Sequence, residues 1–320
     1  MTTLFDEIRV NCAEVTRRAR FVSIDDEGLD RFAEALASEP WPEEDLDPLH
    51  HFKGDAETML AFTLLLDAIN FGSGWFPALR KREGMSGYRT IASASKDYFE
   101  GNGHPSAEDL RRTTSADMAS MLGQDVRHPE VAELMELFAR AWRDFGIWLG
   151  DRHQNCYANV VESAEHSAEQ LVRSLVEMPL YQDVALYDEL AVPLYKRAQI
   201  TAADLYLAFA GEGWGAFKDL DSLTLFADNL VPHVLRCRGV LRYDPGLLAR
   251  IEARDSLDVG SQEEVEIRAV AVEAVERLVR AVSERGRETS ARALDGLLWN
   301  AGQDPKIKAN PRHRGRCSFY

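Results

Sequence analysis

Apolar residues recur along this chain at helical spacing over most of its length. Ile8, Val15, Phe21, Ile24, Leu29, Phe32 and Leu36 predict two short amphipathic helices up to about Glu39. The stretch WPEEDLDPLHHFKGD then breaks the pattern with Pro42, Pro48 and Gly54, predicting a loop that carries His50 and His51. Met59 to Phe71 is a nearly continuous apolar run, too short to span a bilayer and so a buried core helix. It ends in NFGSGWFP, which predicts either a loop bringing aromatics to an interior surface or a helix C-cap with Trp75 packed beside it.

Helical signals resume at Tyr88 to Phe99, at a Ser106 cap with Asp109 three residues on, and at Val131 to Leu149. Asn159 to Met178 carries Val161, Ala164, Ala168, Leu171, Leu175 and Val176 at helical spacing, and Pro179 ends it. VALYDELAVPLY is the only strand-like segment, a short hairpin that Pro193 confines to an edge. Thr201 and Asp204 predict a capping box for the helix TAADLYLAFA, with Gly211 as its stop. A Gly-rich turn leads to a further helix within Phe217 to Val240, capped by Asp219 or Asp221. Pro232 stops or kinks it, so that Asp228 sits beside a forced bend. Ser261 to Gly286 is the clearest helix, with a Ser261/Glu264 capping box and a stripe of Val265, Val272, Val275, Leu278, Val279 and Val282. The final apolar segment, ALDGLLWNAG, places Asp295 between Leu294 and Leu297. The expected fold is mainly α with one short β-hairpin, a single domain over residues 1–320.

Composition narrows the class of function. With 320 residues and 45% hydrophobic positions the chain has material for a real core. Its formal charge of −16 repels polyphosphate, which argues against a stable nucleic-acid partner and favours a small, cationic ligand. Cysteines 12, 156, 237 and 317 lie far apart without a C-x-x-C, and neither a signal peptide nor an apolar run of membrane length is present. A reduced, cytoplasmic protein without a membrane partner is expected.

Candidate chemistry comes down to acids. No H-E-x-x-H or paired cysteines support a metal site, and His50 and His51, as neighbours on a loop, are poorly placed to chelate one ion. G-x-S-x-G, a Walker loop and G-x-G-x-x-G are all missing, which argues against hydrolase-fold esterases and the common nucleotide-binding folds. Asp228 and Asp295 remain, two acids among apolar residues, each either functional or a helix cap or surface acid.

The blocks LYKRAQITAADLY, FKDLDSLTLFADNLVPHVLRCRGVL, QEEVEIRAVAVEAVE and LDGLLWNAG, with DAINF, NCYANVVESAEHSAEQLV and the closing HRGRCSFY, resemble the queuosine salvage protein family through nearly the whole chain. Several separate blocks in one order are far more specific than any single motif. The resemblance implies an all-helical fold similar to the helix-hairpin-helix DNA glycosylases, with the hairpin region at about residues 196–240. It implies a hydrolase that cleaves the N-glycosidic bond of queuosine 5′-monophosphate and frees queuine for reuse in tRNA, with no cofactor. By the FAD tripeptide Asp228 takes the catalytic position and Phe226 lies against the base; Asp295, ahead of Trp299, is a base-binding acid. The histidine of the early loop is His50 or His51. After Trp299 other members carry an acid where this chain has Asn300, an amide in place of a charge.

The implied substrate agrees with the acids. Ribosyl C–N cleavage passes through an oxocarbenium-like state, which a carboxylate either stabilises or attacks. Queuine is a 7-deazapurine, so assistance must come through base atoms other than N7, and its amine suits an acidic pocket. Lys196 and Arg197 are the candidates for the 5′-phosphate, or else pair with nearby acids. Two other classes stay open: a base-excision glycosylase acting on nucleic acid, and a non-catalytic helical interaction module.

Overall fold

Side chains that accept from backbone N–H groups set most of the helix starts in the structure, a computed structural model that describes residues 2–42 and 44–320; Glu43 of the expected loop lies outside them. Thr3 and Asp6 form a reciprocal capping box at the head of α1 (Leu4–Arg18). Ile24, expected on a helix face, is instead in a three-residue strand, β1 (Val22–Ile24). Asp25 then caps α2 (Asp26–Ser38) by accepting from Gly28 N–H. The apolar run forms the buried helix α3 (Ala56–Ala68), and Ser86 caps α4 (Gly87–Asn102). The Ser106/Asp109 box opens α5 (Ala107–Arg112) as expected, and Thr114 with Asp117 repeats it at α6 (Ser115–Leu122). Pro129 takes the first position of α7 (Pro129–His153), where its missing N–H costs nothing.

The helix expected from Asn159 to Met178 is two, α8 (Tyr157–Glu162) and α9 (Ala168–Leu175). Glu165 and His166, with φ of 51° and 63°, make the break, and Ser167 caps α9. Asp219 serves the same helix start, accepting from Ser167 Oγ and the N–H groups of Ala168 and Glu169. It therefore caps α9, not a helix of its own as the sequence suggested. The expected hairpin is present as β2 (Val184–Tyr187) and β3 (Leu190–Pro193), antiparallel with Val184 opposite Pro193.

Helix α10 (Lys196–Ala208) starts before the predicted Thr201 box; Thr201 is interior and its hydroxyl donates to the Arg197 carbonyl. Gly211, at φ 73°, closes the helix as expected by donating to the Tyr206 carbonyl. The largest departure comes next. Apart from two 3-10 turns, at Gly213–Gly215 and Leu220–Ser222, the chain is irregular up to Leu230, and α11 (Val231–Cys237) begins where a helix was expected to end. Pro232 occupies the first turn of α11. A proline signals the start and the end of a helix equally well, and here Thr224, Asp228 and Asn229 favour the non-helical approach.

After α11, β4 (Leu241–Tyr243) pairs antiparallel with β1, a second small sheet that the hydrophobic pattern did not show. Asp244 caps α12 (Pro245–Glu252). Ser261 caps α13 (Gln262–Glu284), but the Glu264 carboxylate reaches Gly260 N–H, so the expected box is only half formed. α14 (Ala291–Ala301) and the short α15 (Pro305–Lys308) complete a mainly α fold.

The chain divides into two compact units. One comprises Met1–Glu44, Asp183–Lys196 and Asp221–Arg316; the other comprises Asp45–Gln182, Arg197–Leu220 and Cys317–Tyr320. In the first, α13 is the central element, packed by α1, α2, α11, α14 and β1. Its N-terminal half is buried all round and carries Glu264, Glu266 and Arg268, so each charge must be matched inside the unit. Glu266 accepts from the N–H groups of Arg20, Phe21 and Val22 and from the Tyr187 hydroxyl, fixing β1 and β2 to the helix. Burial, reinforced by that carboxylate, pushes the Tyr187 hydroxyl up to about 12. In the second unit α7 lies against α3, α5, α6 and α8, and Phe62 of α3 meets Phe99 of α4 edge-on at 5.3 Å. Among the described residues no helix is long and apolar enough to cross a membrane.

Candidate active site

The irregular segment ahead of α11 lacks a helix or ladder to hold it, and side chains hold it instead. Phe226 N–H donates to Asp295 Oδ1 at 3.1 Å, and the Ala227 carbonyl accepts from Arg268 Nε at 2.9 Å. Asp228 Oδ1 accepts from Leu230 N–H at 2.7 Å and Val231 N–H at 3.0 Å, and Asn229 Nδ2 donates to the His313 carbonyl. Four consecutive residues are thus tied, by α13, α14, the start of α11 and the C-terminal stretch. Asp228 is half-buried, with Oδ1 committed to the backbone. Among the described residues no hydrogen bond reaches its Oδ2. A carboxylate fixed by one oxygen can present the other.

Asp295 is buried on α14, which also brings up Trp299 one turn on. Burial first, and then the Asp228 charge, hold the Asp295 carboxyl well above the usual carboxylate range; the Phe226 N–H, Lys196 and Arg292 oppose the shift. The two acids that the sequence singled out therefore sense each other, and Lys196 belongs to the same electrostatic group. Lys196 is buried at the first position of α10, where its N–H donates to Asp183 Oδ2. Phe226 is buried and Trp299 half-buried, whereas Asn300 is exposed. At about 100° per residue Asn300 is turned away from the face that Asp295 and Trp299 share.

Two cations in this unit were not singled out from the sequence. Burial lowers the Arg312 guanidinium below its ordinary value, and the Asp228 charge opposes that fall. Arg268 donates from Nη1 and Nη2 to the two oxygens of Asp183 at 2.9 and 2.6 Å. Its signal in the sequence was a charge on the apolar stripe of α13, between Val265 and Val272. His233 and His313 are kept neutral nearby: burial, above all, pushes them down to about 4 and about 3.

The remaining sequence candidates lie in the second unit. His51 packs edge-on to Phe62 at 6.5 Å and uses Nδ1 on the Asp47 carbonyl. His50 is buried with Nε2 3.4 Å from Asp47, and its Nδ1 has no hydrogen-bond partner among the described residues. Burial lowers both rings below the ordinary histidine value. Arg197 lies over Phe71 and Tyr181 at 4.7 and 4.4 Å, donating to the carbonyls of Ala68 and Leu180. Trp75 is buried with Nε1 on Glu133, so NFGSGWFP does carry an aromatic inward.

The arrangement suits a reaction that builds positive charge beside Asp228 on a substrate whose other parts meet a second acid and a lysine. Similarity to known proteins points the same way. The family model described as queuosine salvage protein matches residues 49–320. A protein of Sphaerobacter thermophilus named queuosine 5′-phosphate N-glycosylase/hydrolase is 36% identical over 312 residues, covering 96% of this chain and 95% of that one. Proteins of the same name from Bos taurus and Dictyostelium discoideum are 30% and 29% identical, each covering 96% or more of both chains. With one family spanning most of its length and relatives matching it nearly end to end, the chain belongs to the queuosine salvage protein family.

Proposed function

We propose that this chain hydrolyses the N-glycosidic bond of queuosine 5′-monophosphate, giving queuine and ribose 5-phosphate. The observation that carries the reading is the carboxylate of Asp228, held by two backbone N–H groups beside the buried Asp295, in a chain of this family. As the C–N bond breaks, the anomeric carbon gains positive charge, which Asp228 Oδ2 stabilises by its own charge or captures as a covalent ester. Water supplies the new C–O bond and the base leaves with a proton. Phe226 and Asp295 take the base, and Lys196, at a helix N-terminus, takes the phosphate. Arg197 serves its own unit as a packing group. The partners are the nucleotide and the free base, not a nucleic-acid strand, in a cytoplasmic setting. Incubation with queuosine 5′-monophosphate and mass detection of queuine tests the proposal; if neither product forms, it fails.

Two consequences concern binding. Asp295→Ala weakens affinity for queuine by about 1.5 to 3 kcal/mol, the usual worth of a hydrogen bond to a charged group or of a buried donor left unmet. Asp295→Asn keeps an acceptor for Phe226 N–H and controls for loss of that tie. Calorimetry showing unchanged affinity in both variants makes Asp295 a structural acid. Lys196→Ala lowers kcat/KM on the monophosphate roughly tenfold while leaving the nucleoside nearly unaffected, because only the monophosphate has a phosphate to lose contact with. An equal loss on both substrates removes Lys196 from the phosphate site.

A further inference from the structure

We infer that Arg268 is the positioning residue for Asp228, acting through the carbonyl of Ala227. The inference rests on the reading of Asp228 as the carboxylate that meets the ribosyl carbon. The segment that carries Asp228 has no secondary structure of its own between Leu223 and Leu230, so its path depends on what its polar groups meet. Arg268 reaches it from the buried face of α13 and is itself immobilised. Its side chain is 2% exposed, with both terminal nitrogens on Asp183, whose side chain is 4% exposed. A planar guanidinium clamped at one edge leaves Nε a single direction, and that direction is the Ala227 carbonyl, one peptide before Asp228. Asp183 is anchored in turn, its carbonyl accepting from Leu194 N–H and its Oδ2 from Lys196 N–H. The chain of contacts runs from Asp183 through Arg268 to the peptide that aims the catalytic carboxylate.

Neutralising charge in the core would ask Arg268 only for its ion pairs, with Asp183 and with the buried Glu264 at 3.6 Å from Nη1, and not for a bond to a neutral carbonyl. The third donor distinguishes this guanidinium, and a lysine cannot reproduce it. An ammonium can meet Asp183 or Ala227, but it lacks the fork that meets both in fixed directions. Arg268→Lys therefore keeps the charge and loosens the aim.

The test is a double-mutant cycle on queuosine 5′-monophosphate, with melting temperatures taken for every variant. Arg268→Lys is expected to lower kcat about 10- to 100-fold, the range for a small misplacement of a reacting group, with KM moving less than about threefold. In an Asp228→Asn background the same change is expected to lower the residual kcat by less than about twofold, since there is no carboxylate left to aim. Equal losses in the two backgrounds, or no loss in the first, overturn the inference. Near-native turnover by Asp228→Asn alone is a different failure, that of the reading of Asp228. Should Arg268→Lys not fold, Asp183→Asn, which loosens the anchor of the guanidinium, is put through the same cycle. Failure of both to fold shows that the pair supports the core and not the aim, and overturns the inference equally.

Discussion

Asp228→Asn is expected to lose three or more decades in kcat while binding queuosine 5′-monophosphate nearly as well as the native protein and melting at nearly the same temperature. The structure makes this substitution unusually clean. Asp228 Oδ1 accepts from Leu230 and Val231 N–H at the start of α11, and an asparagine oxygen caps a helix about as well as a carboxylate oxygen does. The role of Asp228 as a cap, the plain alternative to a catalytic one, is therefore preserved. What disappears is the negative charge opposite the developing oxocarbenium ion, and with it any capacity to form a covalent ester. Three decades correspond to about 4 kcal/mol of lost transition-state stabilisation, in line with removal of one electrostatic partner from a reacting centre. Single-turnover rates and an equilibrium affinity separate the outcomes. Turnover within tenfold of native at unchanged affinity would make Asp228 a cap and nothing more.

Glu266→Ala should do the opposite, destabilising the fold without touching the reacting atoms. The carboxylate accepts from three consecutive backbone N–H groups, Arg20 to Val22, and from the Tyr187 hydroxyl, all at one buried position on α13. Removing it leaves the three N–H groups with no acceptor and the Tyr187 hydroxyl with only the Arg18 carbonyl at 3.3 Å, at about 1 to 3 kcal/mol for each unmet donor that water cannot reach. A total of about 3 to 5 kcal/mol is expected, the range for breaking a buried charged network, and on the order of 10 °C in melting temperature. Glu266→Gln retains one acceptor oxygen and should fall between the two. A melting temperature within a few degrees of native for Glu266→Ala would mean that water replaces the carboxylate and that β1 and β2 are held by their apolar contacts.

Helix existence was readable at Asp109 with α5 and at Ser261 with α13, where periodicity and a capping side chain agreed. Three features escaped because each depends on a partner remote in sequence. Asp219 looks like a cap for the next stretch of chain and instead caps α9, about fifty residues earlier. Ile24 fits a helical stripe and instead pairs with Leu241. Arg268 reads as one polar residue on an apolar helix, and nothing local reveals that Asp183 and Ala227 await it. Pro232 misled for a different reason, since its constraints favour the first turn of a helix as strongly as they forbid the middle of one. At the site, Asp228 and Asp295 stood out as acids among apolar residues, but only likeness to a family ranked them above caps. Their mutual influence required coordinates, because Asp228 lies in a segment whose path no pattern predicts.

The substrate expected for this chain, whose formal charge is −16, is a small nucleotide and not a polynucleotide. One phosphate asks for one or two basic groups, whereas a tRNA backbone would meet a predominantly acidic protein. The direct measurement is the release of queuine, followed by mass over time, from queuosine 5′-monophosphate and from intact queuosine-containing tRNA at equal concentration and low salt. The expected result is steady release from the monophosphate and none above background from the tRNA. Release from tRNA at a comparable rate, or none from the monophosphate, would contradict it.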